Sequence, residues 1–227
     1  MYKCHFCDKE YKREDTILTH KCLKRDRYND RDSRQMREAF RIYMQFMTFN
    51  RLSMKKSVEP LMHFIKSRYF NDFYDFAGYI LQKDILNKEE FITNIITTGK
   101  TVFEWTLDKT REDWVINCIR NEHPRRAIER SIPALIEWGE ITNSEWNTFF
   151  ENVSTERAIL WLETGKISPW LLYIADPESG NKLLNRFSDS EFEYMFRFID
   201  PTYFQIKQIQ YQNDCNEIRQ LLNQAGL

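Results

Sequence analysis

Four residues near the start of the chain, Cys4, Cys7, His20 and Cys22, restrict what it can fold into more than any other feature. They run C-x2-C-x12-H-x-C. A two-residue gap places two thiols on one side of an ion. The twelve-residue gap leaves room for a turn and a short helix to bring back an imidazole and a third thiol, which closes a tetrahedron of the kind zinc takes. Tyr11 and Ile17 would form the small core beside it. A segment this short cannot bury enough apolar surface to hold itself folded, so binding the metal and folding are one event. Three of the five cysteines crowd into this stretch, while Cys118 and Cys215 are scattered. In a reducing compartment that distribution points to a metal site and not to a disulfide framework.

The single residue between His20 and Cys22 has a consequence for the backbone. Two steps along a helix turn a side chain by about 200°, to the opposite face. The helix must therefore end near His20, and Cys22 must approach from extended chain. His5 is a rival ligand, poorly placed inside the C-x2-C turn. Up to its histidine, the run Tyr2-x-Cys4-x2-Cys7-x3-Tyr11-x5-Ile17-x2-His20 resembles a C2H2 zinc finger. It departs from that family where Cys22 follows after one residue instead of three to five. The resemblance implies that helix positions −1, 3 and 6 face bases, which here are Arg13, Thr16 and Thr19, with Asp15 at position 2. Arg13 would then bond a guanine edge with Asp15 buttressing it. Single fingers also bind proteins or brace a neighbouring domain, and one finger alone buries little surface on DNA.

Charge supports a polyanionic partner. Residues 1–56 hold 15 Lys and Arg against 8 Asp and Glu, about +7, which leaves −8 for the remainder of a chain with net charge −1. A basic arm on an acidic body suits a nucleic acid, although solvated helix faces also carry such charge. Lys21, Lys24, Arg25, Arg27 and Arg31, followed by Arg34 and Arg37, are interleaved with acids and Tyr28. They would track phosphates, each adding salt-dependent affinity, or form a solvated linker.

The remainder reads as helical. Only six Gly and six Pro occur in 227 residues, too few for an all-β or loop-rich fold. From Ser33 the apolar period is that of a helix, with Met36, Phe40, Met44 and Met47 on one face. Phe64, Tyr69, Phe70, Phe73, Tyr74, Phe76 and Tyr79 recur at helical spacing and predict a core in preference to a base-stacking surface. Capping patterns recur at Asn87–Glu90, Thr142–Glu145 and Ser188–Glu191, with Gly99 and Gly165 at helix ends. Pro124, Pro169 and Pro201 open further helices behind His123, Ser168 and Asp200. The expected class is mainly α: a small finger of hairpin plus helix, then an all-helical domain of about ten short helices. The boundaries are 1–28 for the finger, 29–56 for a basic linker and first helix, and 57–227 for the helical domain.

No apolar run approaches the roughly twenty residues of a membrane span, and no charged-then-apolar leader opens the chain, so the expected place is the cytoplasm and no membrane partner is expected. No phosphate-binding loop, dinucleotide fingerprint, zinc-protease helix or nucleophile elbow is present. His63 and His123 stand alone in sequence. Two stretches remain as candidate ligand or phosphate sites. One holds Arg125 and Arg126 at a helix start; the other, residues 165–180, holds Lys166, Ser168, Trp170, Tyr173, Asp176 and Ser179. Salt-bridged surface helix and capped helix entry are the plainer accounts of them.

The opening Cys/His array, IKSRYFNDFYDF, the pairs Glu104–Trp105 and Asp113–Trp114, ISPWLLY with the following Ser-Gly, and the terminal QAGL together resemble a group of tailed-phage proteins with an N-terminal finger and a helical remainder. The resemblance implies a phage-encoded protein of DNA replication or transcription in the host cytoplasm. It carries over no catalytic residues. The function expected is a zinc-dependent, DNA-binding accessory protein that also contacts a replication or transcription protein. The alternatives are a DNA-modifying or DNA-cutting enzyme with its site in the helical body, and a protein-interaction module or helicase-loader-like adaptor.

Overall fold

The structure is a computed structural model and describes residues 1–54, 57–175 and 177–227, the side chain of Pro177 excepted. Asp176, and Lys55 and Lys56 of the basic segment, lie outside the described residues. The chain is mainly α, with one two-stranded hairpin at its start, and divides into two compact units, Met1–Thr110 and Arg111–Leu227.

The first unit opens with β1 (Tyr2–Lys3) and β2 (Glu10–Tyr11), antiparallel with Tyr2 opposite Tyr11 and Lys3 opposite Glu10. Next come α1 (Glu14–Thr19), α2 (Leu23–Asn29), α3 (Arg34–Phe49), α4 (Pro60–Lys66), α5 (Phe70–Gln82) and α6 (Lys88–Thr97). Ser33 caps α3 by accepting the Met36 amide, and α3 then buries Met36, Ala39, Ile42, Tyr43 and Met47 on one stripe. Phe40 and Met44 are half-buried at its edges. The aromatic run makes the core: Phe64, Phe70, Phe73 and Phe76 are buried, and Tyr69, Tyr74 and Tyr79 are half-buried with them. Trp105, in a 3-10 turn over Val102–Thr106, meets Phe46, Phe73 and Phe76 edge-on. Its Nε1–H donates to the Lys100 carbonyl. Gly78 lets α3 and α5 close together. A Cβ there would stand 2.6 Å from Gln35 Nε2, the group that donates to the Tyr74 carbonyl.

The second unit takes in most of α7 (Asp108–Asn121), then α8 (Pro124–Thr142), α9 (Phe149–Asn152), α10 (Thr155–Glu163), α11 (Trp170–Ile174), α12 (Pro177–Leu184), α13 (Asp189–Ile199), α14 (Pro201–Gln210) and α15 (Gln212–Gln224). Trp138, Trp170, Phe149, Phe150, Phe198 and Phe204 fill its core. Side-chain caps open several of its helices. Ser188 and Glu191 form a reciprocal capping box on α13, and Asp200 accepts the Thr202 and Tyr203 amides of α14. Two expected caps differ. Asn87 takes a left-handed conformation before α6 and makes no backbone cap. Thr142 ends α8, where its hydroxyl bonds the Trp138 carbonyl, and the left-handed Asn143 caps that C-terminus. In both places an Asn in the left-handed region, which it tolerates better than other non-glycine residues, turns the chain where the spacing alone reads as an N-terminal box. Among the described residues no helix is long and apolar enough to cross a membrane.

Candidate metal centre and basic surface

The hairpin and α1 bring the four Cys/His side chains together. The Cys4 amide donates to Lys9 O and the Asp8 amide to Cys4 O, both at 2.9 Å, which folds the C-x2-C stretch into a knuckle. Asp8 holds the tight end of that turn at φ 61°. The helix ends where the spacing requires: α1 stops at Thr19, His20 leaves it with ψ 139°, and Cys22 is extended at φ −126°, ψ 94°. Tyr11 packs its ring 4.9 Å from that of His20.

The ligand atoms of Cys4, Cys7, His20 and Cys22 all lie within 4.8 Å of one another. Cys4 Sγ and Cys22 Sγ are 3.9 Å apart, and Cys7 Sγ and His20 Nε2 are 3.6 Å apart. A tetrahedron with Zn–S of about 2.3 Å and Zn–N near 2.0 Å has S···S edges of about 3.8 Å and S···N edges of about 3.5 Å. The sulfurs are far beyond a disulfide bond, and all three cysteines are free. His20 Nδ1 lies 2.5 Å from Ile17 O. The Nδ1–H donates there, which leaves the Nε2 lone pair facing the sulfurs, as a ligating neutral imidazole requires. Burial raises the Cys4 thiol, but the amides of Cys7 and Phe6 and the thiols of Cys7 and Cys22 outweigh it and bring Cys4 down to about 6. Burial pushes Cys22 up, helped by the other two sulfurs. The cluster can hold a metal ion.

The outward face of the finger is polar. Arg13 is exposed and forks onto Asp15, with Nη2 to Oδ2 at 2.5 Å and Nε to Oδ1 at 3.2 Å. Thr16 and Thr19 are exposed on the same helix, and Thr19 Oγ1 donates to Asp15 O. Lys21 is exposed and Lys24 half-buried, and neither has an ion pair among the described residues. The other basic residues are engaged locally. Arg25 donates to His20 O at 3.1 Å. Arg31 lies over the Tyr28 ring and donates to Tyr28 O. Arg27 is taken up by the fold: it donates to Ile65 O and Asn71 Oδ1, both at 3.0 Å, and its guanidinium lies 3.9 Å over Phe70.

In the second unit, the residues singled out in the sequence do not gather into one site. Arg125 pairs with Glu217 at 2.6 Å and Asp214 at 3.4 Å, while Arg126 is exposed. Lys166 bonds Glu137 at 2.7 Å and lies over Trp161. Ser168 is buried and donates to Glu122, which also holds Arg130 through two bonds. Trp170 is core, against Phe204. The Tyr173 hydroxyl donates to Ile199 O, and burial with Asp200 nearby pushes its pKa up to about 12. Ser179 is half-buried in α12. Of the remaining histidines, His63 bonds Tyr43, and His123 caps α8 and faces Asp214.

Lys66 stands in sequence beside the aromatic run, and its pairing with Asp8 is not expected there, yet Lys66 Nζ meets Asp8 Oδ2 at 2.7 Å and ties the knuckle to the end of α4. Nothing local in the sequence signals a pair 58 residues apart. Compared with known proteins, the chain matches no family model, no curated protein and no solved structure.

Proposed function

We propose that this chain is a zinc-dependent nucleic-acid-binding accessory protein. The observation that carries the metal is the gathering of three sulfurs and one imidazole nitrogen within 4.8 Å of one another, with two of the separations, 3.9 Å and 3.6 Å, close to the edges of a zinc tetrahedron. When bound, the ion would supply structural closure: four ligands leave no open position for a substrate or water. Support for the nucleic acid comes from the exposed Arg13–Asp15 fork on α1 and from the charge. Residues 1–110 hold 21 Lys and Arg against 16 Asp and Glu, whereas residues 111–227 hold 12 against 18. The first unit would meet the polyanion. The resemblance to tailed-phage proteins adds the setting, DNA replication or transcription.

The test is fluorescence anisotropy of zinc-loaded protein on duplex and single-stranded DNA across a salt series. Binding should fall steeply with salt. Arg13→Ala should weaken it, and neutralising Lys21 and Lys24 should lower the salt slope by about one for each phosphate that is no longer neutralised. Salt-independent binding, or binding untouched by all three changes, would remove the finger as the DNA-binding element.

A second reading rests on a different observation. Leu18 is 70% exposed on α1 and Leu23 75% exposed at the start of α2, and exposed apolar side chains have no part in holding phosphates, so they are the residues of this segment that a protein partner would cover. Under this reading Leu18→Ser and Leu23→Ser abolish a protein–protein interaction and leave DNA binding intact.

A further inference from the structure

The metal centre and the helical body of the first unit meet at one place. Cys22 supplies a candidate ligand and is also the N-cap of α2: its carbonyl accepts the first helical bond, from the Asp26 amide at 3.0 Å. A seven-residue helix does not persist by itself. Its near end is fixed at Cys22, and its far side is fixed by Arg27. Arg27 bonds a carbonyl in the last turn of α4 and an Asn in the first turn of α5, and stacks on Phe70 between them. The last-turn carbonyls of a helix lack intrahelical partners, so Arg27 completes α4 as well as anchoring α2. The other ligand-bearing segment reaches the same place, because Asp8, next to Cys7, pairs with Lys66, the last residue of α4. Phe6, inside the C-x2-C turn, packs on Tyr28 of α2 at 5.3 Å.

We propose that the C-terminal end of α4 is the docking site of the metal-loaded finger, and that Arg27 and Lys66 are positioning residues for the metal centre although neither is a ligand. The inference rests on the metal reading above. Both ligand segments are held against one helix end, so docking preorganises the four ligands and the ion rigidifies the dock. Linkage makes this reciprocal: docking strengthens metal binding by the same factor as the metal strengthens docking, so loosening the dock weakens metal binding and removing the metal loosens the dock. The finger is then a fixed extension of the first unit and not a tethered module.

The experiment uses the full chain. Zinc affinity is measured by competition with a chromophoric chelator for wild type, Arg27→Met, Lys66→Met and, as a control, Arg41→Met, whose ion pairs are with Glu38 and Glu89. Coupling of ordinary size predicts about a five- to tenfold loss of zinc affinity for Arg27→Met, a smaller loss for Lys66→Met, and none for Arg41→Met. In parallel, hydrogen exchange across residues 60–71, which contain no ligand, should accelerate on chelation and recover when Zn(II) is returned. A purely structural role for Arg27 would lower global stability and leave zinc affinity where it was. Should Arg27→Met fail to fold, Lys66→Met decides, since it removes only a partly exposed ion pair. Wild-type affinity in both variants, or exchange at 60–71 indifferent to zinc while the finger itself loosens, overturns the docking and leaves the metal reading standing. A wild-type chain that takes up no zinc overturns the metal reading and the docking with it.

Discussion

His20 directs its Nδ1 at the carbonyl oxygen of Ile17, three residues back, at 2.5 Å. The bond forms because α1 ends one residue earlier, leaving last-turn carbonyls free and the imidazole turned across them. It fixes the tautomer that presents Nε2 to Cys7 Sγ.

The purified chain should therefore carry one equivalent of zinc by elemental analysis. His20→Ala, Cys4→Ala and Cys22→Ala should each lose most of it, while Cys118→Ala and Cys215→Ala keep it. Cobalt substitution should give the visible spectrum of a tetrahedral site with three thiolates and one nitrogen. A cobalt spectrum with octahedral weakness, or full metal content in Cys22→Ala, would displace Cys22 as the fourth ligand.

Acid should weaken the Glu38–Arg41 pair on α3. The Arg41 guanidinium bonds both Glu38, at 2.8 Å, and Glu89, at 2.9 Å. Its hydrogen bonds hold the Glu38 carboxyl below the usual glutamate range, against the burial that would raise it. A depressed folded value means the stabilisation is fully present above the unfolded value, near 4.3, and is lost as pH falls through the lower folded one. Urea unfolding at pH 7 and pH 3.5 should show wild type losing more stability than Glu38→Gln over that interval. The difference should be about 1 kcal/mol at most, because Arg41 is 42% exposed and solvent screens the pair. Equal losses would mean that the pair contributes nothing.

How much of this was legible in the sequence divides along the range of the interactions. The metal ligands, the end of α1 at His20 and the Ser188 and Asp200 caps are local, fixed by spacing and backbone geometry within a few residues. The aromatic core was legible because Phe64 to Phe76 repeat at helical period. What sequence could not give is which charged residues find partners far away. Arg27 reads like its basic neighbours, yet it is bound to Ile65 and Asn71. For Arg125 and for Lys166, in separate stretches, the sequence left a ligand or phosphate site open beside the plainer accounts of a salt-bridged helix and a capped helix entry, and only the structure shows which carboxylates, of α15 and α8, hold them.

Glu122 in the second unit illustrates such a long-range partnership. It accepts from Arg130 at 2.6 Å and 2.8 Å and from Ser168 at 2.5 Å, and its side chain is only 15% exposed. Ser131 accepts the Ser168 amide beside it, and both serines are buried. Replacing Glu122 by Gln removes the charge that neutralises a largely covered guanidinium, a change that costs about 2–4 kcal/mol when the remaining charge stays buried. Ser168→Ala removes one donor and should cost about 1 kcal/mol. Chemical denaturation of the two variants checks the order. A larger effect for Ser168→Ala would mean that the serine, and not the ion pair, organises the entry to α11.

The segment around Asn143 separates two accounts of the same four residues. Read by spacing, Thr142 and Glu145 form an N-terminal capping box, and Thr142→Ala would then cost about 1 kcal/mol. In the structure Thr142 is the last residue of α8, immediately before Asn143 at φ 52°. The Ser144 amide donates to Gly139 O at 3.0 Å, as a left-handed C-terminal cap requires. A surface threonine bonded only to its own i−4 carbonyl contributes little, so Thr142→Ala should change stability by less than about 0.5 kcal/mol. Asn143→Gly should be neutral or slightly stabilising, because glycine reaches this backbone region without strain, whereas Asn143→Val should cost about 1–2 kcal/mol. Thermal unfolding of the three variants decides between the accounts, and a strong effect of Thr142→Ala with a weak one of Asn143→Val would reverse the assignment.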